Sequence, residues 1–117
     1  MYPTIFDNAE LNALRDLARK FAADRLAPGY QAREKTGAFG AELVREMGSL
    51  GLIAPELPEE FGGLGAGSIY SGVIIEEIGK ADFNFGYINI LASLNGQILA
   101  NFANPDIRRE WLPKLTA

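Results

Sequence analysis

Apolar residues recur every three or four positions along most of the chain, a spacing that predicts amphipathic helices. The first helix is predicted over residues 8–26, where Asp7 and Glu10 form a capping box ahead of a run of leucines. Pro28 and Gly29 are expected to break or kink this helix, because proline lacks the amide hydrogen that a helix interior uses. The pattern therefore predicts a long amphipathic helix followed by a kink.

A second helix is predicted over residues 40–50, after a further turn at 31–36 that Gly37 ends. Its apolar and charged side chains occupy opposite faces, and Gly51 is the expected C-cap. Residues 52–67 then contain prolines and glycines without helical spacing, which predicts an ordered loop. Long loops of this kind are more often functional, so this one is expected to contact a ligand or another domain.

Two further helices are predicted over residues 69–80 and 85–103, with Ser68 as the N-cap of the first. The second is apolar on nearly every side, so it is expected at the centre of the fold. A last helix starts at Asn104-Pro105-Asp106, an N-cap followed by proline at the first helical position. Pro113 is expected to weaken or end it, leaving Lys114 to Ala117 as a tail, unless the proline is accommodated as a kink. With no strand pattern and no internal repeat, the prediction is an all-α domain.

The chain of 117 residues is long enough for one core but not for two. It carries 15 acidic and 11 basic residues without a basic stripe, which argues against nucleic-acid binding. The uncharged residues 83–105 could span a membrane by length, but side-chain amides recur through them, so a buried helix without a membrane span is predicted. No signal peptide is visible, and a cytoplasmic location is the default expectation.

Cysteine and histidine are both absent from the sequence. Their absence excludes disulfides, thiolate nucleophiles, the usual zinc sets and histidine acid-base chemistry within the chain. Glu59 and Glu60 are adjacent in a loop and rarely converge on one atom, while Glu76 and Glu77 are expected on a solvated face or in an ion pair. The glycines of residues 62–67 resemble a phosphate-binding loop in composition only. No catalytic or metal-ligating residue is therefore predicted in this chain.

Several stretches together resemble one protein family. They are the end of the first helix at Leu26-Ala27-Pro28, the turn at residues 48–55, the loop Pro58-Glu59-Glu60-Phe61-Gly62-Gly63-Leu64-Gly65, and the closing residues 105–115. Along essentially the whole chain they resemble the N-terminal helical domain of the FAD-dependent acyl-CoA dehydrogenases. The resemblance implies an all-α orthogonal bundle of about five helices with a long proline- and glycine-rich loop.

In that family a middle β-domain and a C-terminal helical bundle follow, so residues 1–117 would be the first domain alone and Ala117 resembles a cut at a domain boundary. The resemblance implies α,β-dehydrogenation of an acyl-CoA thioester, in which a carboxylate removes a proton from Cα while hydride passes from Cβ to FAD. The base and most FAD contacts belong to the later domains, so this chain alone is expected to be inactive. The implied partners are the acyl-CoA substrate, an electron-transfer flavoprotein and further copies in a homotetramer or homodimer.

The family's helical domain walls one side of the acyl pocket through its central helix, here residues 85–103. The implied substrate-binding residues are Tyr87, Ile90, Leu91, Leu94 and Asn95. Core packing is the simpler interpretation of each apolar residue among them, because apolar helix stripes are usually buried. Buried amides need partners, so the asparagines and glutamine of this helix are expected to reach loop carbonyls, another domain or a pocket.

Two alternatives stay open. Acyl-CoA oxidases and flavin monooxygenases of the same superfamily carry similar N-terminal domains, and a free-standing helical module could instead bind a partner through exposed helix faces. Phe83, Phe85 and Tyr87 indicate a compact or cyclic acyl group, although aromatic residues fill cores equally well. The isolated chain is expected to self-associate through the apolar surface that meets the β-domain in the family.

Overall fold

The computed structural model describes residues 8–117, and its first helix begins at an asparagine cap. Helix α1 spans Ala9–Phe21, and the Oδ1 atom of Asn8 accepts the backbone amide of Leu11 at 2.7 Å. The predicted capping residue Asp7 lies outside the described residues. Asn8 fills the N-cap role, because its side chain satisfies an amide that has no partner within the first turn.

Pro28 bends the first helix but does not end it. A π-helical segment, Ala22–Leu26, and a 3₁₀ turn, Ala27–Gly29, join α1 to α2, which spans Tyr30–Thr36. The change in hydrogen-bond pattern lets the chain pass the proline in one continuous helical path. Gly37 then ends α2 in the left-handed conformation at φ 72°, which confirms the predicted stop.

Helix α3 spans Ala41–Ser49, and the proline- and glycine-rich loop follows it. Gly51 adopts φ 76° just after the helix, as expected of a glycine that ends one. The loop contains a 3₁₀ turn at Glu59–Phe61 and main-chain hydrogen bonds of its own, among them one from the Gly63 amide to the Pro58 carbonyl at 3.1 Å. These bonds confirm that the loop is ordered.

Helices α4, Ser68–Ala81, and α5, Phe83–Phe102, pack against each other. The prediction of Ser68 as an N-cap is wrong by one position, because the preceding glycine holds the cap and Ser68 is already helical. Gly86 of α5 lies against Gly79 of α4, where an added Cβ atom would stand 3.0 Å from the Cα atom of Gly79. Gly86 therefore allows the helices to cross closely, whereas a Cβ atom added to Gly79 would meet no atom within 4 Å.

Helix α6 spans Pro105–Thr116 and retains Pro113 in its interior, so the residues expected as a tail after Pro113 form the last turn of the helix instead. Pro113 is exposed, and the hydroxyl of Thr116 fixes the last turn by donating to the carbonyl of Phe61 at 3.1 Å. Asn104 caps the start of the helix as predicted, since its Oδ1 accepts a first-turn amide at 3.0 Å.

With α1 and α2 taken as one bent helix, the described residues form five helical bodies and contain no strand. The prediction of an all-α bundle of about five helices with a long proline- and glycine-rich loop is confirmed. No helix within residues 8–117 is long and apolar enough to cross a membrane. The core draws on all the helices except α2, and on the bend and the loop, through side chains that include Phe21, Leu26, Met47, Leu52, Ile74, Phe85 and Leu112.

Helix α5 is buried on one side only, which corrects the expectation of a fully central helix. The buried side consists of Phe85, Gly86, Asn89, Ala92 and Gly96. The opposite side is apolar as well, yet it faces solvent. Because a helix that is apolar all round normally has partners all round, α5 carries an apolar surface that nothing among residues 8–117 covers.

Candidate functional site

The outer side of α5 presents a continuous stripe of exposed, large apolar side chains, here called the α5 apolar face. These side chains follow one another at helical spacing over about 30 Å. The α5 apolar face consists of Phe83, Tyr87, Ile90, Leu91, Leu94, Ile98 and Phe102. Their exposed fractions run from 38% at Leu91 to 84% at Phe102. An apolar patch of this extent is typical of a surface that binds something.

All five residues that the sequence indicates for substrate binding lie on this outer side. Tyr87, Ile90, Leu91 and Leu94 belong to the α5 apolar face, and Asn95 is exposed beside it. The simpler interpretation of the apolar four as core residues is therefore wrong within this domain, because none of them is buried. Their side chains are accessible to a ligand or to another part of a larger protein.

A cleft opens beside the N-terminal half of α5, between this helix and the end of α2, and is called the α2–α5 cleft below. Its volume of about 440 Å³ lies within the range of ligand pockets. Phe39, Tyr87 and Leu91 contribute apolar lining, whereas Arg33 and Asp82 contribute charged groups. Two of the predicted substrate-binding residues thus share one cavity with a charged pair.

A second cavity of about 280 Å³, the α5–α6 groove, continues along α5 toward the end of α6. Its lining includes Ile53, Ile88, Leu91, Asn95 and Leu115. Leu91 lines both cavities, so the two adjoin along the helix. The structure therefore brings Tyr87, Leu91 and Asn95 to adjoining cavities, while Ile90 and Leu94 occupy the flank of the α5 apolar face.

A buried ion pair forms the charged part of the α2–α5 cleft. The Nη2 and Nε atoms of Arg33 donate to Oδ2 of Asp82 at 2.9 and 3.2 Å. The side chain of Asp82 is 2% exposed and that of Arg33 is 14% exposed. Asp82 also caps α5, because its Oδ1 accepts the amide of Asn84 at 2.9 Å. One carboxylate therefore serves as a helix cap and as the partner of a guanidinium.

The sequence pattern did not indicate this ion pair, because 49 positions separate its two members. Arg33 lies beyond the bend after α1, and helical periodicity does not report such long-range contacts. One local signal was present. Asp82 stands immediately before the first residue of α5, the position where aspartate is preferred as an N-cap.

Asn89 joins the middle of α5 to the proline- and glycine-rich loop. Its Nδ2 donates to the carbonyl of Leu52 at 2.8 Å, and its Oδ1 accepts the amide of Ala54 at 3.4 Å. The expectation that an amide of this helix reaches a loop carbonyl is confirmed at this position. Asn101 instead donates to the carbonyl of Gln97 within α5, at 2.8 Å.

Two glycines of the loop pack against the protein's own chain. A Cβ atom added to Gly63 would stand 2.0 Å from the carbonyl oxygen of Leu57, and one added to Gly62 would stand 2.4 Å from Oγ1 of Thr116. The backbone amides of Gly62, Gly63 and Gly65 donate to the carbonyls of Glu59, Pro58 and Leu57. These three amides are therefore not available to the phosphates of FAD.

Glu77 forms an ion pair with Arg19, and an ion pair was one of the two interpretations that the sequence left open. Its side chain is 7% exposed, and Oε1 lies 3.0 Å from Nη2 of Arg19. The hydrogen bond from Arg19, assisted by the charge of Lys80, holds the pKa of Glu77 below its ordinary value. Glu76 is exposed and lies 3.5 Å from Lys80. Across residues 8–117, no three carboxylate, imidazole or thiol side chains are grouped to hold a metal ion.

Comparison of the sequence with known proteins assigns the chain to a family. The family model described as acyl-CoA dehydrogenase, N-terminal domain, matches residues 8–117. The acyl-CoA dehydrogenase FadE12 of Mycobacterium tuberculosis is 30% identical over 110 residues, which cover 94% of this chain and 28% of that protein. The probable acyl-CoA dehydrogenase YngJ of Bacillus subtilis is 36% identical over 109 residues, which cover 92% of this chain and 29% of that protein.

A relative with a more specific name is also similar. The (2S)-methylsuccinyl-CoA dehydrogenase of Cereibacter sphaeroides is 28% identical over 111 residues, which cover 92% of this chain and 20% of that protein. The chain spans less than a third of the length of each of these curated relatives. Because the family model matches every described residue, the chain belongs to the acyl-CoA dehydrogenase family, as an N-terminal domain of that family.

Proposed function

We propose that this chain is the N-terminal domain of an FAD-dependent acyl-CoA dehydrogenase, and that its α5 apolar face forms one wall of the acyl pocket. The observation that carries the proposal is the α5 apolar face itself, a stripe of large side chains exposed along a whole helix. Burial of such a stripe by an acyl chain and by further domains of a longer protein is favourable, because both remove apolar surface from water.

The proposed substrate-binding residues are Tyr87, Ile90, Leu91, Leu94 and Asn95. Tyr87 and Leu91 shape the α2–α5 cleft, and Leu91 and Asn95 shape the α5–α6 groove. Apolar side chains bind an acyl chain mainly by excluding water and by their shape. We therefore expect these residues to affect acyl-group preference, which is a difference between pocket contacts made by competing substrates.

In the proposed reaction the whole protein removes hydrogen from the α and β carbons of an acyl-CoA thioester. FAD, when bound, supplies the hydride acceptor, and its site and the catalytic base are proposed to lie in a middle β-domain and a C-terminal helical bundle outside residues 1–117. Asp82 is committed to Arg33 and to the cap of α5, which argues against a role as the base. The electron acceptor is proposed to be an electron-transfer flavoprotein, and the whole protein a homotetramer or homodimer.

An anaerobic visible spectrum of the full-length protein tests the proposal. The spectrum is recorded before and after addition of acyl-CoA thioesters that differ in chain length and branching. Bleaching of the oxidised flavin band by one class of thioester is the expected result. A colourless protein, or a flavin indifferent to every thioester, would overturn the proposal. Oxygen consumption without an added electron acceptor would indicate an acyl-CoA oxidase instead.

The substitution Leu91→Trp in the full-length protein tests the role of the α5 apolar face. Tryptophan at this position would fill the junction of the two cavities, so the preference should move toward shorter acyl groups. Leu50→Trp is the matched control, because Leu50 is 38% exposed, as Leu91 is, but lies at the end of α3 and lines neither cavity. An acyl preference that Leu91→Trp leaves unchanged would contradict the proposed pocket.

A further inference from the structure

We infer that the Arg33–Asp82 ion pair is a positioning device for the acyl pocket, which holds the first turns of α5 so that Tyr87 and Leu91 select among acyl groups. The inference rests on the proposed function, since it requires the α5 apolar face to meet the acyl chain. Arg33 and Asp82 belong to the wall of the α2–α5 cleft, but their side chains are only 14% and 2% exposed and are bonded to each other, so they are assigned no contact with substrate. They act through the helix that carries Tyr87 and Leu91.

The α5 apolar face begins directly after the ion pair. Phe83 follows Asp82 in the chain, and Tyr87 and Leu91 line the same cleft as Arg33 and Asp82. Both carboxylate oxygens of Asp82 are engaged, Oδ2 by Arg33 and Oδ1 by the first-turn amide of α5. Rotation or displacement of the first turn would break at least one of these contacts, so the pair restrains the orientation of α5 at this end.

Arg33 is itself held in place from the other side. Its Nη2 atom also donates to the carbonyl of Leu26 at 2.5 Å, and its guanidinium carbon lies 5.2 Å from the centre of the Phe85 ring. Leu26 lies in the π-helical segment and is fully buried. Arg33 therefore connects the bend between α1 and α2 to the start of α5. Removal of one charge would leave the other buried and short of partners.

The rest of α5 has separate attachments. Asn89 bonds to the carbonyl of Leu52, and Gly96 packs against Leu57, where an added Cβ atom would stand 2.7 Å from Cδ1. Loss of the ion pair should therefore loosen the turns before Asn89 and leave the C-terminal half of α5 in place. The effect on the acyl pocket is expected at Tyr87 and Leu91.

The test is the substitution Asp82→Asn in the full-length protein. Asparagine is as good an N-cap as aspartate, so the variant removes the charge of the pair while the cap of α5 is kept. The measured quantity is the ratio of kcat/KM for two acyl-CoA thioesters that differ in chain length. Loss of folded protein lowers both values equally and leaves the ratio unchanged. One methylene group in a hydrophobic pocket changes the discrimination between substrates by about tenfold or more. Because the expected displacement of α5 is no larger than that, we expect the ratio to shift by about three- to tenfold.

The matched control is Glu46→Gln. It breaks the ion pair between Glu46 and Arg25, which has a separation of 3.0 Å but is exposed and joins the π-helical segment to α3. The ratio should stay at its original value in this variant. If it shifts as far as in Asp82→Asn, the effect is not specific to the Arg33–Asp82 pair, and the inference is overturned.

A second variant covers the case in which Asp82→Asn does not fold. Arg33→Lys keeps the positive charge but cannot reproduce the contact of two guanidinium nitrogens with one carboxylate. Its ratio should shift in the same direction as that of Asp82→Asn and by less. An unchanged ratio in every folded variant of the pair would overturn the inference even if the melting temperature falls, because the pair would then be structural only.

Hydrogen exchange gives a readout that does not depend on activity. In Asp82→Asn the amides of Gly86 and Tyr87 should lose protection while that of Ile98 keeps it. Equal protection of all three in both proteins would overturn the inference. The two proposals also fail differently: a ratio that responds to Leu91→Trp but not to Asp82→Asn overturns the positioning role alone, whereas a ratio indifferent to both overturns the proposed acyl pocket.

Discussion

The side-chain amide of Asn89 donates a hydrogen bond of 2.8 Å to the main-chain carbonyl of Leu52 and so ties the middle of α5 to the proline- and glycine-rich loop. The same side chain accepts the amide of Ala54. Ala54 adopts φ 46°, a left-handed conformation that costs a residue with a Cβ atom about 1 kcal/mol or more. Asn89 therefore stabilises a strained turn of the loop against the buried side of the helix.

Replacement of Asn89 by leucine should lower the free energy of unfolding by about 2–3 kcal/mol. Leucine has a similar volume but leaves the buried carbonyl of Leu52 and the amide of Ala54 without their partner. Urea denaturation of the 117-residue chain measures the change. Asn101→Ala is the control, because Asn101 is exposed and should change stability by no more than about 0.5 kcal/mol. Equal losses in the two variants would contradict a specific role for Asn89.

Gly63 should not tolerate alanine. Its Cβ atom would stand 2.0 Å from the carbonyl oxygen of Leu57, a main-chain atom that cannot rotate away, so we expect a loss of about 3 kcal/mol. Gly72→Ala is the matched control, since Gly72 is exposed inside α4 and an added Cβ atom meets no atom within 4 Å. That variant should gain about 0.5–1 kcal/mol. Thermal unfolding compares the two, and a stable Gly63→Ala protein would contradict the close contact.

The helices follow from the sequence because periodicity is a local property. The predicted residues 85–103 and the observed Phe83–Phe102 differ by two residues at one end and one at the other. The burial of that helix could not be predicted in the same way. Apolar residues on every side indicate partners on every side, but the pattern does not say whether those partners are the domain's own core, a ligand or another domain.

The Arg33–Asp82 ion pair of the α2–α5 cleft depends on the tertiary fold, so it could not be predicted from helical periodicity. Arg33 belongs to a polar run that resembles any solvated helix face. Its ion pair with Asp82 forms only in the tertiary fold, after the chain has passed the bend at Pro28. At Pro113 the sequence favoured a weakened or ended helix, whereas the structure shows that α6 continues. Pro113 has a poor propensity for a helix interior, yet the helix continues to Thr116, whose hydroxyl bonds to the loop and fixes the last turn.

Glu77→Gln should destabilise the protein near neutral pH and have less effect in acid. The pKa of Glu77 is lower in the folded protein because Arg19 donates to the carboxylate. Its stabilising contribution is therefore present above the carboxyl's ordinary pKa and is lost as pH falls through the lower folded-state pKa. We expect about 1 kcal/mol at pH 7, since solvent around Arg19, which is 59% exposed, screens the pair.

Denaturation of wild type and Glu77→Gln at a series of pH values checks this expectation. Glu76→Gln is the control, because Glu76 is exposed and its ion-pair partner, the ammonium group of Lys80, is exposed as well. The control should differ little from wild type at any pH. A difference between Glu77→Gln and wild type that grows as the pH falls would contradict the assigned direction of the pKa shift.

The 117-residue chain by itself should self-associate through the α5 apolar face. A stripe that contains Leu94, Ile98 and Phe102 loses contact with water when two copies meet, and such burial drives association. Sedimentation velocity over a range of concentrations should show a species larger than the monomer. Leu94→Arg should shift the equilibrium toward monomer, whereas Gln31→Arg adds the same charge on α2 and should not. A monodisperse monomer at every concentration would mean that the exposed stripe does not drive association between copies of this domain.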